Sequence, residues 1–380
     1  MRILYISNST SVSGAPAVLL SVVKEMAVRH EVGVVMPDSD GPLFSMLSGL
    51  GVRCWCGVPY GLTIWPRVLN PFKYLKRLYG LTYGRRKAST YIGNIIDEFK
   101  PDIVHTNVGP LDLALDECKK RNIPHVWHLR EFQNGMRFWP SRRSFMDKVH
   151  SKDNFNIAIT RCVFDYWQLR DCDAVIYDGV NADGAVLSRN EAKEPFFISV
   201  GRVEKNKGQM ELLKSYLRYR RKGGDAGLKI VGRMSMFYGL RCRAFVMMHG
   251  LGSYVDFEGH RNDVQELMRK ALALVVTSVT EGFGLVSAEA MLQGCIVIGH
   301  DVTGMKEQFD IGRDFTGEEI GLRYKGVQGL SDAMSDVSER PGDFVSMREC
   351  ARRTVMAKYD VREMADGLER YYLKITEGKS

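Results

Sequence analysis

The sequence of residues 272–291 is LALVVTSVTEGFGLVSAEAM, and the order of its parts decides the fold. The apolar run 272–277 has the length of a buried β-strand, and Gly282 and Gly284 follow it before a segment with helical spacing. A strand that is apolar on consecutive residues is typical of parallel sheets covered by helices on both faces. This stretch therefore predicts a strand, a glycine-rich loop and a helix of a doubly wound α/β domain.

The same alternation of short apolar runs and amphipathic segments occurs along the chain of 380 residues. The predicted strands form a first series, 2–6, 31–36, 102–106, 125–129, 156–160 and 174–177, and a second, 196–200, 228–231, 255–257, 272–277 and 296–298. The polar segment 188–195 separates the two series and ends in proline. Because the length suits two domains, we expect two Rossmann-like doubly wound parallel-sheet domains, 1–188 and 189–360. Residues 361–380 are expected to form a C-terminal helix that could pack against either domain, including back on the first.

The composition is that of a globular protein with a basic excess. Hydrophobic residues make up 45% of the chain and charged residues 26%, which excludes a disordered tail, a collagen-like chain and a disulfide mini-protein. There are 53 Lys and Arg against 45 Asp and Glu, a formal net charge of +8. That balance favours nucleic acid, an anionic membrane face or phosphorylated small molecules as ligands.

Cysteine usage and hydropathy predict a cytoplasmic location. Eight cysteines are scattered without a Cys-x-x-Cys pair, which is typical of reduced thiols. No apolar run approaches the length of a membrane-spanning helix, and the N-terminal run is too short for a signal peptide.

The basic excess is concentrated in residues 65–87, from Trp65 to Lys87, where aromatic residues alternate with seven cations and no acid occurs. The cations are Arg67, Lys73, Lys76, Arg77, Arg85, Arg86 and Lys87. One interpretation is a helical segment that binds an anionic bilayer at the inner face of the cell membrane. The other is an ordinary solvated helix face with aromatic residues in the core. No recognised nucleic-acid motif accompanies the segment, so we expect no nucleic-acid partner.

Paired carboxylates that could hold a divalent metal occur twice, at Asp38 and Asp40 and at Asp171 and Asp173. Both pairs lie beside turns or strand edges, where Asp commonly makes local hydrogen bonds. We therefore expect no metal site. A Gly-x-Gly-x-x-Gly loop is also absent from the sequence, which gives a dinucleotide site no support.

Two cations of the second half follow a predicted strand. The strand 196–200 runs into Gly201 and Arg202, and Lys207 and Gly208 come before the next helical segment. Arg offers a planar fork to phosphate oxygens and Lys a mobile point charge. This arrangement suits a nucleotide at the crevice of a doubly wound sheet.

Two glutamates lie in and after the glycine-rich loop. Glu281 can face sugar hydroxyls, and Glu289, about two turns into the following helix, can bind a ribose diol. The helix start presents free N–H groups with a partial positive charge, which suits a diphosphate.

Taken in order, these motifs resemble the pattern of retaining glycosyltransferase family 4. The matching residues are Gly201-Arg202, Lys207-Gly208, Glu281-Gly282-Phe283-Gly284-Leu285 and Glu289-Ala290. In that family two glutamates separated by seven residues form the signature. Residues 102–107, 175–181 and 229–232 are similar to further segments of the family, so the resemblance covers most of the chain. It implies a GT-B fold, in which two Rossmann-like domains face each other across a cleft.

The resemblance also implies a role for each matched residue. Arg202 and Lys207 would neutralise the donor diphosphate, Glu281 would hold the transferred sugar and Glu289 the ribose. His128 is placed like the family's histidine that touches the sugar. The remaining residues implied in donor binding are Gly14, Gly201, Gly232, Gly282, Phe283, Gly284 and Leu285.

Two loops depart from the family pattern. Members often carry Gly-Gly in the first loop with a glutamate soon after, whereas here Ser13 precedes Gly14 and no acid is near. A later Gly-Gly stands here as Thr303-Gly304. The two glutamates therefore carry the resemblance more than these loops do.

The implied activity is that of a hexosyltransferase which moves a sugar from a UDP- or GDP-sugar to an acceptor hydroxyl with retention of configuration. Fixed cations can stabilise the leaving phosphate, so no cofactor or metal is expected. His128 and the donor phosphate are both candidates for the catalytic base. The acceptor that we favour is a lipid-linked saccharide of bacterial capsule, exopolysaccharide or O-antigen synthesis. The alternatives are a nucleotide-sugar epimerase or phosphorylase on a similar fold, or a basic membrane- or nucleic-acid-binding module.

Overall fold

The computed structural model describes residues 1–57, 61–66, 71–182 and 193–378, with the backbone alone at positions 71, 73 and 76. The chain divides into two compact units. Unit 1 is Met1–Asn181 together with Val361–Ser380, and unit 2 is Ala182–Asp360. The boundary predicted at residue 188 and most of the polar segment 188–195 lie outside the described residues.

Unit 1 is built on a seven-stranded parallel sheet. The described strands of the unit, seven of them in this sheet and two in a separate ribbon, are β1 (Arg2–Ile6), β2 (Glu31–Val35), β3 (Arg53–Trp55), β4 (Ile64–Pro66), β5 (Ile103–Thr106), β6 (His125–Leu129), β7 (Met136–Phe138), β8 (Asn154–Ala158) and β9 (Ala174–Val175). The sheet order is β3-β2-β1-β5-β6-β8-β9, and β4 pairs with β7 in a separate antiparallel ribbon. Every residue of β5 and β6 is buried, as expected where helices cover both faces.

Seven helices connect these strands. They are α1 (Ala15–Met26), α2 (Pro42–Gly49), α3 (Pro71–Tyr79), α4 (Arg85–Phe99), α5 (Leu113–Lys120), α6 (Arg142–Val149) and α7 (Arg161–Tyr166). Side-chain caps start two of them, since Ser141 and Thr160 accept hydrogen bonds from the N–H groups of Ser144 and Val163. A π-helical turn, Gly80–Gly84, joins α3 to α4.

Unit 2 has a six-stranded sheet whose described strand pairs are all parallel. Its strands are β10 (Phe196–Val200), β11 (Gly227–Val231), β12 (Val255–Gly259), β13 (Ala273–Val276), β14 (Ile296–His300) and β15 (Leu322–Tyr324), in the order β12-β11-β10-β13-β14-β15. Its helices are α8 (Gln209–Arg221), α9 (Met236–Met248), α10 (Val264–Lys270), α11 (Leu285–Leu292), α12 (Thr303–Thr316), α13 (Gly326–Glu339) and α14 (Val345–Lys358). An aromatic and aliphatic core that includes Phe197, Tyr216 and Tyr219 joins α8 to the sheet.

The last helix, α15 (Val361–Glu377), belongs to unit 1 although it follows unit 2 in the chain. The N–H of Val361 donates to the carbonyl of Val180 at 3.0 Å. Further along α15, the Tyr371 hydroxyl donates to the carbonyl of Asn156 at 3.2 Å. The helix is therefore tied to the end of the sheet of unit 1.

The prediction of two doubly wound α/β domains with parallel sheets is confirmed. Several element boundaries differ from the predicted ones: the strand predicted at 156–160 is Asn154–Ala158. The short strands β3, β4, β7 and β15 were not predicted, because three residues are too few to show a hydropathy pattern. In the part of the chain that the structure describes, no helix combines the length and the apolar character needed to cross a membrane.

Candidate active site

The strand order of unit 2 creates a switch point between β10 and β13. The chain runs outward from β10 through β11 to β12, and then from β13 through β14 to β15 on the other side. Loops that leave β10 and β13 at their carboxyl ends therefore diverge, and ligands of doubly wound sheets bind in the crevice that opens there. The predicted residues Arg202, Lys207 and Glu281 all lie in these two loops.

The loop after β10 is seated on the end of β13. Gly208 has a φ of 72°, a left-handed conformation that favours glycine. A Cβ built on Gly208 would lie 2.0 Å from the carbonyl oxygen of Thr277, and the Thr277 hydroxyl donates to the carbonyl of Lys207 at 2.8 Å. The backbone beside Lys207 is therefore held in place.

Lys207 and Glu281, both predicted from the sequence, form an ion pair. Nζ of Lys207 lies 2.8 Å from Oε2 of Glu281, and the two side chains are 30% and 16% exposed. Partial burial reduces the screening of this pair by water, so it is stronger than an exposed ion pair. The two loops thus present a cation beside a carboxylate at the switch point.

A third segment, Thr303-Gly304 after β14, forms hydrogen bonds with the backbone of Glu281. The Glu281 N–H donates to the Thr303 hydroxyl at 3.0 Å, and the Gly304 N–H donates to the Glu281 carbonyl at 3.0 Å. A Cβ on Gly304 would lie 2.3 Å from the carbonyl oxygen of Gly282. The β-branched Thr303 has a φ of 45°, an unfavourable conformation for such a side chain. The departure Thr303-Gly304 therefore lies directly against the signature loop.

The helix that follows Glu281 begins at this loop. Gly284 precedes α11 with a φ of 94°, so the chain turns sharply into the helix. The first N–H groups of a helix have no intrahelical acceptors and carry a partial positive charge. Gly282 and Leu285 are partly exposed on either side of the turn, whereas Phe283 is buried, with its ring 5.0 Å from that of Tyr359. Phe283 thus anchors the loop through its side chain.

Glu289 lies in α11 and is partly buried. Burial raises the pKa of its carboxyl from 4.5 to about 6, because a low-dielectric environment disfavours the charged form. A buried carboxylate without a cation is costly, and hydrogen-bond donors from a ligand would stabilise it. Two buried neighbours were not predicted: the Ser287 hydroxyl lies 2.6 Å from Oε1 of Gln308 on α12.

Arg202 is placed differently from Lys207. Its side chain is 75% exposed, and its guanidinium lies 3.3 Å from the carboxylate of Glu204. The structure therefore puts Arg202 on the rim of the same loop, where an exposed side chain is free to turn toward a phosphate.

Gly201 and Gly232 follow β10 and β11 and are in close backbone contact. Their φ angles are 140° and 141°, and a Cβ on Gly232 would lie 2.0 Å from the carbonyl oxygen of Gly201. The Gly232 N–H donates to the carbonyl of Gly259 at 2.7 Å. Only glycine fits at this point of the sheet edge.

In unit 1, Gly14 lies in a loop with open space around it, whereas His128 lies in a buried strand. Gly14 precedes α1 with φ 60° and ψ −134°, and a Cβ there would meet nothing within 4 Å. Its backbone conformation, rather than crowding, therefore favours glycine. His128 is fully buried in β6, and among the described residues its Nε2 has no hydrogen-bond partner.

A buried polar network surrounds His128. Its Nδ1 lies 3.3 Å from Nε2 of His105 and 3.3 Å from the guanidinium of Arg130. Arg130 forms an ion pair with Asp178 and donates to the carbonyl of Asn107 at 2.8 Å. Burial, with the charge of Arg130, holds the pKa of His128 well below its usual value, so the ring is neutral.

Most of this network could not be predicted from the sequence. Tyr372 of α15 lies 2.5 Å from Nδ1 of His105, although the two residues are 267 positions apart. Arg130 could have been suspected, because it follows His128 by two residues and a buried arginine needs partners.

One side chain of each predicted carboxylate pair makes hydrogen bonds within unit 1. Asp38 accepts a hydrogen bond from the Thr10 hydroxyl at 3.0 Å. Asp173 accepts from the N–H groups of Asn156 and Arg170 and pairs with the Arg170 guanidinium. Among the described residues, no group of three or more His, Cys, Asp or Glu side chains is arranged to hold a metal ion.

Comparison with known proteins identifies the family. Residues 12–183 match the model for Glycosyltransferase Family 4, and residues 187–320 match that for Glycosyl transferases group 1. An uncharacterised glycosyltransferase of Methanocaldococcus jannaschii is 26% identical over 300 residues, 74% of this chain and 76% of that protein. The O-antigen chain mannosyltransferase RfbU of Salmonella typhimurium is 25% identical over 212 residues, 50% of this chain and 58% of the relative.

The fold comparison agrees. The crystal structure of Anabaena HepE in complex with UDP and glucose has a TM-score of 0.74 at 18% sequence identity, over 97% of this chain and 98% of that one. The two matched models together span most of the sequence and correspond in order to the two units. The chain is a glycosyltransferase that belongs to family 4 and has the GT-B fold.

Proposed function

We propose that the protein transfers a sugar from a UDP- or GDP-sugar to an acceptor hydroxyl with retention of anomeric configuration. The observation that carries the proposal is the ion pair of Lys207 and Glu281 at the switch point of unit 2. A nucleotide-sugar needs a cation for its diphosphate and hydrogen-bond acceptors for its sugar hydroxyls. The pair offers both within one crevice, next to the start of α11.

Departure of the nucleoside diphosphate leaves an oxocarbenium-like sugar, and negative charge builds up on the leaving phosphate. Lys207, Arg202 and the start of α11 stabilise that charge, because all three are positive at or near the same loops. On donor binding the Lys207 ammonium turns from Glu281 to the phosphate, and the Glu281 carboxylate then accepts hydrogen bonds from the sugar. The acceptor oxygen bonds to the anomeric carbon on the face that the phosphate leaves, and a phosphate oxygen takes its proton.

The other predicted residues complete the donor site in this proposal. Glu289 accepts hydrogen bonds from the ribose diol, and the backbones of Gly201, Gly232 and residues 282–285 admit the nucleotide closely. Gly14 lies near the phosphates. His128 contacts the sugar as a neutral ring and remains the alternative base.

The activity is tested by incubating the protein with UDP- and GDP-sugars and a lipid-linked saccharide. A thermal-shift screen with UDP and GDP selects the nucleotide first, because a ligand that binds the folded state raises its apparent stability. We expect one donor to yield a product whose new linkage, determined by NMR, keeps the anomeric configuration of the donor. Conversion of the donor without acceptor would indicate an epimerase, and release of sugar 1-phosphate with inorganic phosphate would indicate a phosphorylase.

We further propose that the acceptor is a lipid-linked saccharide of cell-surface polysaccharide synthesis, reached at an anionic membrane. The similarity to an O-antigen chain mannosyltransferase supports the acceptor class. Exposed side chains of residues 65–87 support the membrane contact: Phe72, Leu75, Tyr79 and Tyr83 are 53% to 81% exposed. Their spacing of three and four residues puts them on one helical face.

The cations of this segment differ in exposure and pairing. Arg86 and Lys87 are exposed, whereas Arg85 forms an ion pair with Asp112. Arg67 and the side chains of Lys73 and Lys76 lie outside what the structure describes. We call Phe72, Leu75, Tyr79, Tyr83, Arg86 and Lys87 the α3 surface. Trp65 is not part of it, since its ring is buried beneath the Arg77 guanidinium.

A further inference from the structure

Helix α9 is apolar on two opposite faces. Its inner face consists of Gly239, Cys242 and Val246, which are buried in unit 2. The outer face consists of Met236, Phe237, Leu240, Met247 and Met248, which are 60% to 81% exposed. At 3.6 residues per turn these five residues lie within an arc of about 120°, opposite the buried one. A helix with an apolar outer face marks a surface that contacts another apolar phase.

Arginines border the exposed stripe on both sides. Viewed around the helix, Arg241 lies next to one edge of the arc and Arg243 next to the other edge. Both side chains are exposed. Residues 231–250, which include α9, contain three cations, Arg233, Arg241 and Arg243, and no acid. Among the described residues Arg233 and Arg241 have no ion pair, and Arg243 lies 5.1 Å over the ring of Phe257. The stripe is therefore bordered by arginine side chains, of which Arg241 has no ion-pair partner among the described residues.

We propose that this α9 surface (Met236, Phe237, Leu240, Met247, Met248, Arg241 and Arg243) is a second membrane-contact site that binds bilayers rich in anionic phospholipid. Phe, Leu and Met side chains can enter the boundary between headgroups and acyl chains while the arginines meet lipid phosphates. A folded protein partner would bury a mixture of charges, whereas this segment carries one sign only.

The α9 surface lies on unit 2 and the α3 surface on unit 1, so variants of one surface leave the residues of the other unchanged. Stable attachment to a membrane generally requires two weak signals rather than one. The proposal does not depend on the identity of the sugar, and vesicle binding is measured without a donor.

The test is co-sedimentation with vesicles of phosphatidylcholine alone and of phosphatidylcholine with phosphatidylglycerol. The wild type is expected to bind the anionic vesicles selectively. R241Q/R243Q should lower the partition coefficient about 30-fold, since each cation near an anionic surface contributes a factor of about five. M236S/F237S/L240S should lower it by roughly tenfold or more, because three apolar side chains no longer enter the bilayer. V28S/M46S, which replaces exposed apolar residues of unit 1, should bind as the wild type does.

Oxidative footprinting locates the contact on the unmodified protein. Anionic vesicles should slow the oxidation of Met236, Met247 and Met248 and leave that of Met46 and Met356, also exposed, unchanged. Thermal midpoints equal to that of the wild type show that R241Q/R243Q and M236S/F237S/L240S are folded. The first variant tests the charged residues of the α9 surface and the second tests its apolar residues. Unchanged vesicle binding by both variants, or unprotected methionines, would overturn the proposal. So would a dimer, detected by light scattering, that the α9 variants dissociate, because the surface would then bind a second copy.

Discussion

Lys207 and Glu281 are 74 residues apart in the chain, yet their charged atoms lie 2.8 Å apart at the switch point of unit 2. Each side chain extends from a loop that leaves one of two neighbouring strands, β10 and β13. The backbone of each is held by a separate contact, Lys207 through Gly208 against Thr277, and Glu281 through Thr303. The pair is therefore a preorganised feature of the site rather than a chance surface contact.

Removal of either partner is expected to abolish transfer without unfolding the protein. We expect Lys207→Ala and Glu281→Ala each to lower kcat/KM by at least about 100-fold, because one loses a cation at the leaving phosphate and the other a contact to the sugar. The double variant should be little worse than either single one, since residues that act as a unit are not additive. Lys270→Ala breaks an exposed ion pair with Glu266 and should leave kcat/KM unchanged. Wild-type turnover in either site variant would refute the assignment.

Crowding at Gly208 should make this glycine irreplaceable. Gly208→Ala places a Cβ 2.0 Å from the Thr277 carbonyl oxygen, so the Lys207 loop must move away from β13. Gly250 has a similar φ, 65°, but open space around it, so Gly250→Ala should cost only the conformational strain of about 1–2 kcal/mol. We expect Gly208→Ala to cost more, and to lose activity as well. Calorimetry of the whole protein measures the stability cost of each substitution, and steady-state kinetics measures the loss of activity. Equal effects of the two substitutions would contradict the packing argument.

Thr303 combines a strained backbone with a useful hydroxyl. Thr303→Ser keeps the acceptor for the Glu281 N–H and removes the β-branch, so it should be at least as stable as the wild type and active. Thr303→Val keeps the shape and loses the acceptor, which should cost about 1–3 kcal/mol for the unpaired N–H and weaken donor binding. Thermal unfolding and donor Kd values measure both effects. Equal behaviour of Ser and Val at this position would show that the hydroxyl does not hold the loop.

The sequence predicted the parts of this site that depend on order along the chain. Strand, glycine loop and helix follow one another within residues 272–291, and Arg202 and Lys207 follow a strand in the same way. Contacts made only on folding could not be predicted, because no spacing encodes them. Thr303 caps the N–H of Glu281 from 22 residues away, and Ser287 meets Gln308 from another helix.

In unit 1 the limit of sequence reasoning is clearer still. His128 was recognised through the family resemblance, near the end of a predicted strand, but the residues that set its charge were not. The sheet places His105 and Arg130 beside His128. Tyr372, which contacts His105, lies on α15, a helix that follows unit 2 in the chain. Such contacts depend on strand order and on the return of the chain, neither of which hydropathy reveals.

The raised pKa of Glu289 predicts a pH-dependent stability difference. The folded state holds a proton on this carboxyl up to about pH 6, whereas the unfolded chain releases it near 4.5. Glu289 therefore destabilises the fold above pH 6 by about 2 kcal/mol, and this cost disappears as the pH falls below 4.5.

Glu289→Gln isolates that difference. The variant should be more stable than the wild type by up to about 2 kcal/mol at pH 8 and equally stable at pH 4.5, as measured by urea unfolding across pH. It should also bind the nucleotide more weakly at pH 8, because an amide is a poorer acceptor for the ribose diol than a carboxylate. Glu339→Gln, at an exposed position, should show no such trend. A constant stability difference between Glu289→Gln and wild type at all pH values would contradict the burial of this carboxyl.

Three buried histidines predict that unit 1 is sensitive to acid. His105, His125 and His128 are almost completely inaccessible. Burial holds the pKa of His105 and His128 well below the usual value, and lowers that of His125 to about 4. The unfolded chain takes up these protons below about pH 6.5, so the stability is complete above that pH and is lost as the pH falls. All three rings therefore contribute to this loss of stability on acidification, and His125, with a pKa of about 4, contributes to it between about pH 6.5 and pH 4.

Tryptophan fluorescence can follow this loss in unit 1 alone. All five tryptophans, Trp55, Trp65, Trp127, Trp139 and Trp167, lie within Met1–Asn181. We expect urea unfolding followed by fluorescence to shift to lower urea as the pH falls from 7.5 to 5.5. His125→Gln should reduce that shift, because Gln does not titrate and can still reach Asn154 or Thr106, the two partners of His125. His260→Gln, at an exposed position in unit 2, should leave the shift unchanged. If the wild type unfolds at the same urea concentration at both pH values, these rings are not held neutral by burial.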